Sequence, residues 1–146
     1  MNGLLLFAHG ARDAAWARPF EEVRNVILLV QPELAVELCF LEFMLPTLQE
    51  GGKALALRGC TQVQIVPLFL GAGGHVRKDL PQLITVLNSD YPHVAWSLQT
   101  AVGERLSVIE AMAQECLNAG ATIGIDPAER VILQQIEQIS LKPHPS

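Results

Sequence analysis

Charge and aromatic rings are both scarce in this 146-residue chain. Charged side chains make up 17% of it and aromatic ones 5%, with a single tyrosine. The net charge is -5, and no Lys/Arg stripe is available to displace phosphate counterions, which argues against nucleic acid as a partner. Cysteine is sparse too. Cys39, Cys60 and Cys116 are odd in number and lack C-x-x-C spacing, which fits a reducing compartment better than a disulfide framework. No basic leader precedes the first apolar run, and that run is too short for a signal core or a membrane span. A soluble, cytoplasmic protein without a membrane partner is the expectation. Nucleotide signatures are missing as well, with no G-x-G-x-x-G fingerprint and no Lys-Ser/Thr of a P-loop, and the absence of a G-x-S-x-G elbow argues against Ser-His-Asp chemistry.

What the chain has in quantity is hydrophobic side chains, half of all residues. At this length they suffice for one domain with a core needing no staples. The expectation is a single domain over 1–146, its core at about 4–120, with a C-terminal helix and tail over 121–146. Apolar runs at 4–8, 34–43, 63–70 and 94–99 read as strands. Helical periodicity follows each: from Pro19 with Phe20, Val23, Ile27 and Val30 inward; from Pro46-Thr47 to Gly59, weakened by Gly51-Gly52; from about Asp79 to Asn88; and from Glu104 to Leu117 with Leu106, Ile109, Ala113 and Cys116 inward. A last amphipathic helix is expected from Asp126-Pro127 to about Ser140. This β-α-β-α-β-α-β-α order demands right-handed crossovers. The fold class is therefore α/β, an open, mostly parallel four-stranded sheet flanked by helices, with the common order 2-1-3-4.

In such a sheet, ligands bind beyond the carboxyl ends of the strands. His9, Glu42 and His75 all fall there, on three successive strands. Taken singly, each is weak evidence, because strand-end histidines and glutamates are often structural or merely solvated. Together, two neutral imidazoles and a carboxylate suit a divalent first-row metal with positions left open, and they also accept protons near neutrality. The glycines around Ala72, namely Gly71, Gly73 and Gly74, release the backbone so that His75 reaches a ligand. Arg12, Arg77 and Lys78 are the local cations. His93 and His144 read as bland.

Those residues also carry a resemblance. HGAR at 9–12, FLE at 40–42 with Pro46 after it, and VPLFLGAGGHVRKDLP at 66–81 are similar to the class II chelatases of the sirohydrochlorin cobaltochelatase and ferrochelatase type, over roughly 4–117. The resemblance implies a chelatase-like fold and an ATP-independent lyase that inserts cobalt(II) or iron(II), with nickel(II) also suited, into a tetrapyrrole for cobalamin or sirohaem synthesis. It further implies a homodimer, because short members pair where long ones carry two domains. By position, His9 and His75 match the metal-binding histidines and Glu42 the acidic residue beside them, all three being catalytic candidates. Arg12, Gly73, Gly74 and Arg77 are the candidates for holding a macrocycle that bears eight carboxylates. A carrier that binds metal or tetrapyrrole without turnover is the rival reading, and a subunit forming one wall of a hetero-oligomeric site is a third.

Overall fold

The computed structural model describes residues 1–71, 73–120 and 135, the side chain of His75 excepted. Ala72 and the helix expected over 126–140 lie outside the described residues. The chain divides into two compact units, Met1–Val102 and Gly103–Ser146.

The first unit holds β1 (Asn2–Ala8), α1 (Arg18–Val30), β2 (Ala35–Phe40), α2 (Leu48–Leu57), β3 (Gln62–Pro67), α3 (Gly74–Asp90) and β4 (Ala95–Leu98). The strands lie in the expected order, β2-β1-β3-β4. All three pairings are parallel, with Leu6 opposite Leu38 and Val66 and with Ile65 opposite Leu98. Alternation along β1 explains why the sheet forms in the middle. Leu5 and Phe7 point to one face, where they pack with Cys39, Val63 and Ile65 and with Leu48, Leu55, Leu80 and Leu87 from α2 and α3. Leu6 and Ala8 point to the other, against Val36, Leu38, Phe40, Ala17, Phe20 and Ile27. A strand buried on both faces reads as a continuous apolar run, and each fully buried Leu, Ile or Phe contributes about 1.5–3 kcal/mol.

Local chemistry fixes the helix ends. Thr47 accepts the Glu50 N–H at 3.2 Å while Glu50 accepts the Thr47 N–H at 2.8 Å, a capping box that starts α2. The two glycines that lower this helix's intrinsic propensity are both buried. A Cβ at Gly51 would run into the Cys39 Sγ, and one at Gly52 into Leu87. They are therefore needed for close approach, not a weakness in the middle of the helix. Burial pushes the Cys39 thiol up to about 12, with the Glu37 carboxylate adding to the rise. Cys60 is raised too, again chiefly by burial.

Three expectations need correction. Val23 and Val30 are 41% and 74% exposed, whereas Phe20, Ile27 and Leu28 pack on the sheet. The helix is rotated onto its 20–27–28 row, leaving Val23, Val26, Leu29 and Val30 as a second, exposed apolar band. The third helix begins at Gly74, five residues before the expected Asp79, because Gly73 in extended conformation serves as its N-cap and Pro81 falls inside the helix rather than at its start. In the second unit, α4 spans Leu106–Gly120, and Leu106, Ile109, Ala113 and Cys116 are exposed. A helical period selects a face without saying whether the chain covers it. Among the described residues, no helix is long and apolar enough to cross a membrane.

Candidate active site

Three loops leave the carboxyl ends of adjacent strands: 9–13 after β1, 41–47 after β2 and 68–73 after β3. They are tied together before any ligand is considered. Past the end of the β1–β2 ladder, the Leu41 N–H donates to the Ala8 carbonyl at 2.9 Å and the Glu42 N–H to the His9 carbonyl at 3.0 Å. On the other side of β1, the Leu68 N–H donates to the Phe7 carbonyl at 2.7 Å.

His9 is half-buried and its ring lies on that of Phe69, with centroids 4.3 Å apart and planes 33° apart. Phe69 is itself buried and meets Phe7 edge-on at 5.8 Å. The imidazole is thus seated on the hydrophobic core, and its orientation is set by packing. Among the described residues, neither the ring nitrogens of His9 nor the Glu42 carboxylate takes a hydrogen bond, so both keep their lone pairs for a ligand or a proton.

Gly10 makes the junction between the first two loops possible. It has φ +88, and a Cβ there would strike the Glu42 carbonyl oxygen. Only a glycine lets the two backbones approach this closely.

Glu42 opens a tight reversal in which the Met44 N–H donates back to its carbonyl at 2.8 Å. At its centre Phe43 has φ +62, a left-handed conformation that costs a bulky residue on the order of 1–2 kcal/mol. The residue is 59% exposed, and the Arg12 guanidinium sits over the ring, 5.2 Å from the centroid. Leu45 and Leu70, within the second and third loops, are exposed. Beyond Arg12, Asp13 accepts the Ala15 N–H at 2.9 Å and caps a short 3-10 turn, Ala14–Ala17.

On the third loop, Gly73 is the N-cap of α3 and Gly74 its first residue, with no side-chain cap and no acidic residue in the first turn. The positive end of the helix dipole there favours an anion. Neither glycine has positive φ, and among the described residues a Cβ at either would meet no atom within 4 Å beyond its chain neighbours. Arg77 and Lys78 follow on the helix and are exposed. The backbone of His75 is the second residue of α3.

The structure therefore brings His9, Arg12, Glu42 and the Phe43 ring together. It sets Gly73, Gly74 and Arg77 at the start of the neighbouring helix. Among the described residues, no three His, Cys, Asp or Glu side chains converge as a metal-binding group. Phe43 and Phe69 were invisible to sequence reasoning. Phe69 reads as one more strand residue, and nothing marks a phenylalanine as left-handed. A cavity of about 430 Å³ opens at the opposite, amino end of the strands, lined by Asn2, Gln62, Gln64 and Ser97 among others. It offers amides and a hydroxyl but no titratable side chain.

Comparison with known proteins identifies the family of the chain. A family model described as CbiX matches residues 3–119. The chain is 29% identical over 122 residues to a sirohydrochlorin cobaltochelatase of Priestia megaterium, covering 79% of this chain and 38% of that one. Among solved structures, SirB from Bacillus subtilis with Fe3+ superposes with a TM-score of 0.71 at 26% identity, covering 86% of this chain and 48% of that one. A CbiX protein of Marinobacter aquaeolei VT8, assigned to cobalamin (vitamin B12) biosynthesis, superposes with a TM-score of 0.69 at 30% identity, covering 82% of this chain and 99% of that one. The chain thus spans half or less of the Priestia and Bacillus relatives and nearly all of the Marinobacter one.

Proposed function

The chain belongs to the CbiX family, and from that premise we propose that it is an ATP-independent sirohydrochlorin chelatase, a lyase inserting cobalt(II) or iron(II) into the macrocycle. One observation carries the reading above the rest: the His9 imidazole is seated on Phe69 while Glu42 is bonded to the His9 backbone, at the ligand-binding edge of the sheet.

In this reading the metal is a substrate, held partly hydrated by His9 and His75 as neutral imidazoles with coordination positions left open. Nitrogen and oxygen donors suit cobalt, iron and nickel alike. The Priestia relative is named for cobalt and the Bacillus structure contains iron, so both metals belong in the test. The ring docks across the loops and two pyrrole protons leave as its nitrogens displace water. Glu42 or an imidazole takes them, and holding metal and ring at short range supplies the proximity contribution.

Sirohydrochlorin's eight carboxylates are met by Arg12, by Arg77 and by the uncapped start of α3. The open space above Gly73 and Gly74 supports a close pass of the flat ring over that helix end. We also propose that residues 1–146 act as one chelatase-like domain, working as a homodimer in the cytoplasm. That this chain covers only 48% of the Bacillus relative supports the pairing, and the free, buried thiols of Cys39 and Cys60 support a reducing compartment.

Anaerobic absorbance of sirohydrochlorin mixed with cobalt(II) or iron(II) tests the proposal. The protein is expected to accelerate metallation far beyond the uncatalysed rate for at least one metal. Binding of pigment or metal with the uncatalysed rate unchanged would leave a carrier instead.

A further inference from the structure

Aromatic side chains are few in this protein, and the fold uses nearly all of them internally. Among the described residues, Phe43 is the only exposed Phe, Tyr or Trp. It belongs to neither hydrophobic core, and its backbone occupies the left-handed region that bulky residues avoid. The chain gains no core packing from this ring and bears a strained turn to display it. Strain of this kind collects where a ligand is handled.

Its neighbours say what kind of ligand. Phe43 directly follows Glu42, whose N–H is bonded to the His9 carbonyl, so the ring lies one residue from the proposed proton acceptor. Arg12 is parked over one of its faces at 5.2 Å, and most of the side chain is still open to solvent. An apolar ring with a planar cation over one face and the rest open complements a flat conjugated molecule with anionic groups on its rim. Aromatic faces stack on such molecules, and a guanidinium held on a ring is pre-organised for bidentate carboxylate binding.

We propose that Phe43 and Arg12 form a docking plate for the tetrapyrrole, the ring taking macrocycle area and the guanidinium a peripheral carboxylate, so that the pyrrole nitrogens come to rest over His9. This rests on the chelatase reading and deepens it: Phe43 positions the organic substrate and makes no contact with the metal.

The test separates the two. In Phe43→Ala, KM for sirohydrochlorin rises about tenfold, the scale of a lost aromatic contact, while kcat changes less and cobalt(II) affinity by titration calorimetry stays within twofold. Phe43→Tyr, which keeps the ring, restores KM toward wild type. Phe43→Asn, whose residue tolerates the left-handed turn, guards against misfolding and shows the same KM loss as Phe43→Ala. Arg12→Ala and Phe43→Ala together lose less than the product of their separate losses, because each holds the other. A wild-type enzyme that turns over, with Phe43→Ala and Phe43→Asn both within twofold of its KM, overturns the plate and leaves the chelatase standing. A change in oligomeric mass on light scattering with KM unmoved also overturns it, marking Phe43 as a contact between copies. A wild-type protein that neither binds nor metallates sirohydrochlorin overturns both.

Discussion

Replacing Gly10 by alanine is the sharpest probe of how the candidate site is built. Two costs follow from the structure. Gly10 has φ +88, where a Cβ costs on the order of 1–2 kcal/mol through contact with its own backbone. That Cβ would also strike the Glu42 carbonyl oxygen, which is backbone and cannot swing aside. The loops after β1 and β2 must part, weakening the 3.0 Å bond from the Glu42 N–H to the His9 carbonyl, a loss of about 0.5–1.5 kcal/mol. Gly10→Ala should therefore cost about 1.5–3.5 kcal/mol in all. Gly59→Ala is the internal control: Gly59 has φ +84, yet a Cβ there meets nothing within 4 Å, so it should lose only the conformational part, about 1–2 kcal/mol. Urea unfolding followed by far-UV circular dichroism reads both, with m unchanged and the Gly10→Ala midpoint the lower of the two. Because the clash moves His9 relative to Glu42, Gly10→Ala should also lose most metallation activity while Gly59→Ala keeps it. Equal destabilisation of the two variants would refute the claim that backbone contact between the loops organises the site.

Two further outcomes are expected. The Cys39 thiol is pushed up to about 12 in the folded protein from 9.0 unfolded. Between those values the unfolded chain has lost a proton that the folded one keeps, so stability is intact below about pH 9 and falls as pH rises, by about 4 kcal/mol at the upper limit of the window. Urea midpoints from pH 8 to 10.5 should decline less steeply in Cys39→Ala than in wild type, and parallel declines would contradict this. Gly73→Ala meets no atom within 4 Å and needs no positive φ, so its stability should stay within about 1 kcal/mol of wild type while KM for sirohydrochlorin rises several-fold. An unchanged KM would mean that the ring does not pass close over the start of α3.

The architecture was legible because it rests on periodicity. The four apolar runs became the four strands, in the expected order 2-1-3-4, since alternation along β1 and the βα alternation leave few other arrangements. Helix boundaries and faces were less so. The start of α3 hid behind glycines that normally signal a loop, and the buried face of α1 could not be chosen between two overlapping apolar bands. Gly51 and Gly52 looked like a defect because propensity is local, whereas their role is set by Cys39 and Leu87 across the interface. At the candidate site, the strand-end position of His9 and Glu42 followed from topology alone. The parts that hold them in place did not. The stacking of His9 on Phe69, the Gly10–Glu42 approach and the left-handed Phe43 are tertiary facts with no sequence period.

Whether the loop ends after β1, β2 and β3 form one metal-inserting site is read by single-turnover metallation of sirohydrochlorin under anaerobic conditions, comparing wild type with His9→Ala and His75→Ala. Wild type is expected to metallate rapidly and both variants to lose about 100-fold or more, in keeping with removal of a group that acts on the reacting centre, with circular dichroism indistinguishable from wild type. Wild-type rates in either well-folded variant would contradict it.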